Sequence, residues 1–371
     1  MGRFSSGSLS RLCAITTRIL IGKSNREGNM LKILKSSVSA VILSSILLGG
    51  ALAGEVKSIA ILTPEEGTDY GWNQQGIDAA KAAGKAAGVE VVVAQGLGYG
   101  DVRPTLRELA SDGASLLIAH ASGYNTSAPE IAKELKVPVA IVDTPNGLEK
   151  GLVADYTLSG HQGAYLAGRL AAKMSRSKSV GIVVSGEPPS WNSQSAAFAQ
   201  GVKAENPDVK ITYAVIGPAA YSDAAGGKRV TESVIASGAD IIFGQGNGSS
   251  FGMLQAVETT KAADGGKVYF IDVIGDKSPI DKGFLLSSVV WNIEPVYAAM
   301  IADLKADTFG TKHYTIGLKD DSVKLLKTAA IPDNVWTEIQ TLREDVISGK
   351  IKVDPVYDAA AVRALMTSVA Q

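Results

Sequence analysis

A chain of 371 residues is the length of two average domains, and its 46% hydrophobic and 20% charged residues match ordinary globular usage. That composition excludes collagen, coiled-coil and disordered classes, and a net charge of −1 offers no basic excess for nucleic acid.

The first 53 residues differ in kind from the rest. From Met30, Lys32 and Lys35 give a positive start, residues 38–48 an apolar run, and Ala51-Leu52-Ala53 a small-x-small cleavage site. This reads as a secretory signal peptide cleaved near Ala53, because the apolar run is shorter than the ~20 residues a membrane-spanning helix needs. Residues 1–29 read as an extension ahead of a misplaced start. Cutting at Ala53 removes the only cysteine, Cys13, so the mature chain is expected to hold no disulfide, thiol nucleophile or cysteine metal ligand. With no cysteine after the small-residue stretch, the expected product is not lipidated and is free in the periplasm. Residues 1–53 hold seven of the basic and one of the acidic residues, so the mature chain has a net charge of −7. Such an acidic surface also argues against a nucleic-acid partner.

Beyond residue 54, short Val- and Ile-rich runs alternate with Ala-rich segments of helical period, the pattern of parallel sheets covered by helices. The fold class is therefore α/β, with two Rossmann-like lobes joined by several crossings. Strands are predicted at 56–62, 89–94, 115–119 and 137–142, with helices at 72–87, 101–111 and 127–135 between them. A second series has strands at 179–184, 209–215, 240–243 and 268–273, and helices at 191–205, 222–237 and 249–261. Residues 151–157 read as a crossing strand, and 161–174 as a helix returning to the first lobe. Residues 285–291 and a helix at 293–306 cross again. The tail is predicted to hold strands at 314–318 and 323–326, a helix at 333–348 and a last helix from 359. The first lobe is thus expected over 54–156, with 157–175 and part of 292–371 returning to it, and the second over 176–291.

Ligands of open α/β sheets bind beyond the carboxyl ends of the strands, which directs attention to the loops there. The loop after the first strand contains Asp69, Tyr70, Gly71, Trp72 and Asn73. An aromatic beside a carboxamide at a helix N-terminus suits a flat heterocycle or a sugar ring. The same residues also suit a purely local role, Asp69 or Asn73 capping the helix while Trp72 packs on the lobe.

The run D-Y-G-W-N-Q-Q-G at 69–76, the loop Ala119 to Tyr124, the helix segment Gly163 to Gly168 and then Phe198 to Gly201 resemble, in this order, the basic membrane protein family of ABC transporter binding proteins. The likeness covers nearly the whole mature chain. The resemblance implies a class I periplasmic binding protein that captures purine nucleosides or nucleobases for a membrane permease, without catalysis or cofactor. It implies that Trp72 stacks on the base, that Asn73 hydrogen-bonds to it, and that Ser122, Gly123 and Tyr124 line the same wall. From the second lobe it implies contacts by Trp191 and Asn192, and by the glycine-rich loop Gly246, Asn247 and Gly248. Asp276 stands where the family carries a carboxylate, though the surrounding match is loose. Trp291 replaces a lysine found in many members, which favours an uncharged base. A sugar or other small polar ligand is the alternative.

A hydrolase is the rival from a different class. Gly248-Ser249-Ser250-Phe251-Gly252 matches the G-x-S-x-G nucleophile elbow and precedes Asp272 and His313 in α/β-hydrolase order, but no H-G-G-G oxyanion loop lies upstream. His120, His161 and His313 are too far apart for a zinc motif, and Gly96 to Gly100 lacks the third glycine of a dinucleotide fingerprint. The transcription factors that share this fold class carry a DNA-reading helix pair where this chain has its expected export signal.

Overall fold

The computed structural model describes residues 55–158 and 160–367, so the expected signal segment lies outside the described residues. The first sheet contains β1 (Ser58–Leu62), β2 (Glu90–Ala94), β3 (Leu117–Ala119), β4 (Val139–Val142) and β5 (Val153–Tyr156), connected through α1 (Trp72–Ala87), α2 (Arg103–Ser111) and α3 (Ser127–Leu135). Its order is β2-β1-β3-β4-β5, parallel throughout. Every residue of β3, β4 and β5 is buried, as expected of parallel strands with covered faces.

The second sheet has the order β11-β10-β9-β8-β6-β7. Its strands are β6 (Ser179–Val184), β7 (Lys210–Val215), β8 (Ile241–Gln245), β9 (Tyr269–Ile274), β10 (Leu285–Trp291) and β11 (Val323–Leu325). All pair in parallel except β11, which lies antiparallel on β10. The helices of this part are α4 (His161–Met174), α5 (Pro189–Glu205), α6 (Ala224–Ala236), α7 (Ser250–Thr259), α8 (Glu294–Lys305), α9 (Asp333–Ile347) and α10 (Ala359–Thr367).

Three expectations change. Residues 153–156 do not cross between the sheets; they form the β5 edge of the first sheet, and the crossing follows them. Helix α4 does not return to the first sheet but packs on α5, α9, β10 and β11. The cause lies in its glycines. A Cβ on Gly168 would lie 2.1 Å from the Phe198 carbonyl oxygen, and one on Gly201 would lie 2.1 Å from that of Tyr165. Two helices whose backbones touch at facing glycines are committed to each other, and these are the glycines of the two helical family motifs. Finally, residues 314–318 form no strand, and Tyr314 makes only a single bridge to Tyr156.

Three backbone segments pass between the sheets: β5 to α4, β10 to α8, and α8 to β11. Helix α8 packs on α1 of the first part. The segments lie side by side. Thr157 N–H donates to Tyr314 O at 3.2 Å, Tyr314 N–H to Asp155 O at 3.2 Å, and Asn292 N–H to Ser322 O at 2.8 Å.

Candidate ligand-binding site

A cavity of about 310 Å³ lies between the carboxyl ends of the two sheets' strands, at the lower end of the range for small-molecule sites. The first sheet contributes Pro64 and Trp72 after β1, Tyr99 after β2, Ala121 to Gly123 after β3, and Val142 and Asp143 at β4. The second contributes Pro188, Ser190 and Trp191 after β6, Ala219 and Tyr221 after β7, and Asn247 after β8. Four aromatic side chains dominate the wall. Tyr99 and Tyr221 approach across the gap with ring centroids 5.6 Å apart, and Trp191 meets Tyr221 edge-on at 5.4 Å.

Trp72 is fixed from behind. Its indole stacks on the His120 imidazole with centroids 3.7 Å apart and planes 7° from parallel. Trp72 Nε1–H donates to His120 O at 2.9 Å, and His120 Nε2 lies 2.9 Å from Trp72 O. Burial pushes His120 down to about 3, so the ring is neutral near pH 7. A carbonyl only accepts, which puts the proton on Nε2. Nδ1 is then the acceptor, and the Tyr156 and Tyr297 hydroxyls, each 2.8 Å away, share its single lone pair. The ring fits only because position 76 is glycine: a Cβ there would lie 2.3 Å from His120 Nε2.

Asp143 is the acid of the cavity wall. Ser190 Oγ donates to its Oδ2 at 3.3 Å, while its Oδ1 is buried without a hydrogen-bond partner among the described residues. Burial, reinforced by nearby Asp155, pushes its carboxyl up to about 7, against the lowering effect of the Ser190 hydrogen bond. The lining contains no lysine or arginine. Backbone strain gathers at the same loops: Tyr70, Asp143, Asn247 and Ile274 have φ of 48°, 55°, 44° and 71°. Non-glycine residues held there cost about 1–3 kcal/mol each and concentrate at functional sites.

Of the residues singled out in the sequence, Trp72, Ser122, Gly123, Trp191 and Asn247 line the cavity. The others do not. Asp69 caps α1, its Oδ1 accepting from the Gly71 and Gln74 amides at 3.0 Å and its Oδ2 from the Asn73 amide at 3.1 Å. Asn73 is fully buried behind it and donates through Nδ2 to Asp69 Oδ2 at 2.8 Å, so the local capping role holds for this pair. Tyr124 is buried in the core with its hydroxyl on Gly98 O at 2.6 Å, which props the loop carrying Tyr99. Asn192 donates to the carbonyls of Glu187 and Tyr357 at 3.0 and 2.9 Å. Gly246 and Gly248 give room to Ser249 and Ser222, which stand 2.3 and 3.2 Å from where their Cβ atoms would be. Asp276 accepts from the Ser278 amide at 2.7 Å in a turn. Trp291 is buried behind Trp72, edge-on at 6.4 Å, above Gly160. Sequence reasoning missed Tyr99, Asp143, Ser190 and Tyr221. The available signal was their shared position just after a predicted strand.

The hydrolase-like trio is not brought together. Ser250 Oγ donates to Asp272 Oδ1 at 3.2 Å, but the other oxygen of Asp272 takes the Lys277 ammonium. His313 instead lies 3.5 Å from Asp155. Among the described residues no helix is long and apolar enough to cross a membrane, and no cluster of three potential metal ligands occurs.

Comparison with known proteins agrees with this architecture. The chain is 25% identical to a nucleoside-binding ABC transporter protein, BmpA, of Lactococcus lactis, over 85% of this chain and 97% of that one. It is 24% identical to a purine-binding protein of Brucella abortus, over 83% of this chain and 86% of the relative. An ABC transporter solute-binding protein structure from Aeropyrum pernix superposes with a TM-score of 0.72 at 18% identity, covering 85% of this chain and 97% of that one. The family model for PnrA-like ABC transporter substrate-binding proteins matches residues 56–355, and with two mostly parallel sheets enclosing an aromatic cavity the chain belongs to this Bmp family.

Proposed function

We propose that this protein captures a purine nucleoside or nucleobase in the aromatic cavity and delivers it to an ABC permease, as the exported binding component of an importer. The observation that carries the reading is the lining itself: Trp72, Tyr99, Trp191 and Tyr221 offer π faces, with one acid and no cation. A flat, uncharged heterocycle suits such walls, and Asp143 supplies one hydrogen-bonding edge for its ring nitrogens. Near pH 7 that carboxyl both donates and accepts, which accommodates either polarity of a purine edge. The nucleoside- and purine-binding names of two relatives support the same class.

Each sheet with its helices acts as a lobe. The ligand settles on one wall, the other hinges over it, and closure joins contacts that neither wall makes alone. Differential affinity for the closed form drives the shift, and the closed form is what the permease reads. A thermal-shift screen of residues 54–371 against purines, pyrimidines, nucleosides and monosaccharides tests this. A selective rise with purines or their nucleosides is expected, since a ligand at 100 times its Kd adds about 2.7 kcal/mol. A rise with monosaccharides alone would replace the purine reading with a sugar-binding one.

A further inference from the structure

The loop that carries Trp72 is gripped by the second sheet at two points. At the first, Asn247 Oδ1 accepts from the Trp72 amide at 3.3 Å. At the second, Lys277 Nζ donates to the Tyr70 carbonyl at 3.3 Å. Lys277 is fully buried, a costly place for an ammonium, and its charge is balanced by equally buried Asp272, which also accepts from Ser250. Phe251 completes the fit, with Lys277 Nζ 5.6 Å from its ring and the Tyr70 ring edge-on at 6.4 Å. Backbone meets backbone here as well. A Cβ on Gly275 would lie 1.8 Å from the Tyr70 oxygen, so only glycine permits the approach. Tyr70 and Ile274, on the two sides of the contact, are both held at positive φ. A buried charge and two strained residues at the second point imply a contact maintained for a purpose, and Lys277, Asp272, Phe251, Gly275, Tyr70 and Ile274 all lie outside the cavity lining.

We propose that Lys277 is a positioning residue, a built-in latch that fastens the Trp72 loop to the second sheet without help from a ligand. The ligand-free protein then already spends much of its time shut, and Lys277 slows ligand escape without touching the ligand. This rests on the reading of the cavity as the binding site, but its test does not need the ligand to be known.

Spin labels at Asp101→Cys and Ala225→Cys, both exposed, report the gap between the two sheets in ligand-free residues 54–371. The parent is expected to show a short-distance population. The double variant Lys277→Met/Asp272→Asn, which removes both buried charges together, is expected to lose it. Circular dichroism melting confirms that the variant folds. An unchanged distance distribution in the folded variant, or a parent that is wholly open, overturns the latch. If the variant does not fold, the Trp72 amide of the unsubstituted ligand-free protein decides. Hydrogen exchange slowed at least tenfold relative to an unstructured peptide supports the latch, and exchange at the unstructured rate overturns it. A wrong choice of ligand would leave all these readings intact, whereas the purine reading fails only in the ligand screen.

Discussion

Replacing Asp143 with Asn tests the electrostatics of the cavity in isolation from any ligand. Asn tolerates the left-handed backbone at φ 55° and can keep the Ser190 hydrogen bond, so the change removes an ionisable proton and little else. In the unfolded chain the carboxyl titrates at its ordinary value of 3.8, whereas in the fold it titrates at about 7. Ionising it in place therefore costs about 4 kcal/mol at 1.36 kcal/mol per pH unit. The sign follows from proton binding: between these two values the folded state holds the proton and the unfolded state does not, so stability falls as pH rises. From pH 5 to pH 8 the parent should lose about 2–3 kcal/mol that the Asn variant keeps. Urea unfolding of both proteins at the two pH values measures this, since groups distant from Asp143 titrate alike in the two and cancel. The variant should be clearly the more stable at pH 8, with a smaller gain at pH 5. A stability difference that stays constant between pH 5 and pH 8 would show that Asp143 is ionised throughout, and would refute the reasoning.

Two further substitutions probe the Trp72 assembly. Trp72→Ala should weaken adenosine binding about 5- to 150-fold by calorimetry, since a lost aromatic stack on a base is worth about 1–3 kcal/mol, and Trp72→Phe should recover most of it. Equal affinity in the Ala variant would remove Trp72 from the ligand wall. Gly76→Ala normally stabilises a helix by about 1 kcal/mol, but here overpacking against the pinned His120 ring should outweigh that gain, for a net loss of about 1–2 kcal/mol in urea unfolding. A gain in stability would mean that the imidazole is free to move aside.

The alternation of buried strands and helices was legible because parallel strands covered on both faces leave continuous apolar runs such as Val139 to Val142. What pairs with what was less so. Helix α4 follows the first sheet in sequence, yet the contact of Gly168 with Phe198 binds it to the second part, and a glycine does not announce its partner. In the site, Trp72 and Trp191 were legible through the family resemblance, since each in its own loop suits local packing as well as binding. Asp69 and Asn73 read equally well as caps or as ligand contacts, and only their hydrogen bonds to each other decide for the cap. Asp143, Tyr99 and Tyr221 stand far apart in the chain without a motif, and only the meeting of the two sheets makes them one wall. Nothing in the sequence marks Lys277, and only the fold brings it together with Asp272, five residues earlier.

The three segments that pass between the sheets bear on how the molecule can move. A single linker would leave the two parts free to swivel, slide and twist. Three segments tied laterally, Thr157 and Asp155 to Tyr314 and Asn292 to Ser322, behave instead like the knuckles of a door hinge. Rotation about the line they share requires only small changes in each segment's torsions. Shear would have to break the ties, and twist would have to stretch one strut while compressing another. The closure proposed above would thereby be reduced to a single angle, so that the residues of the two cavity walls would meet in the same register each time the cleft shut.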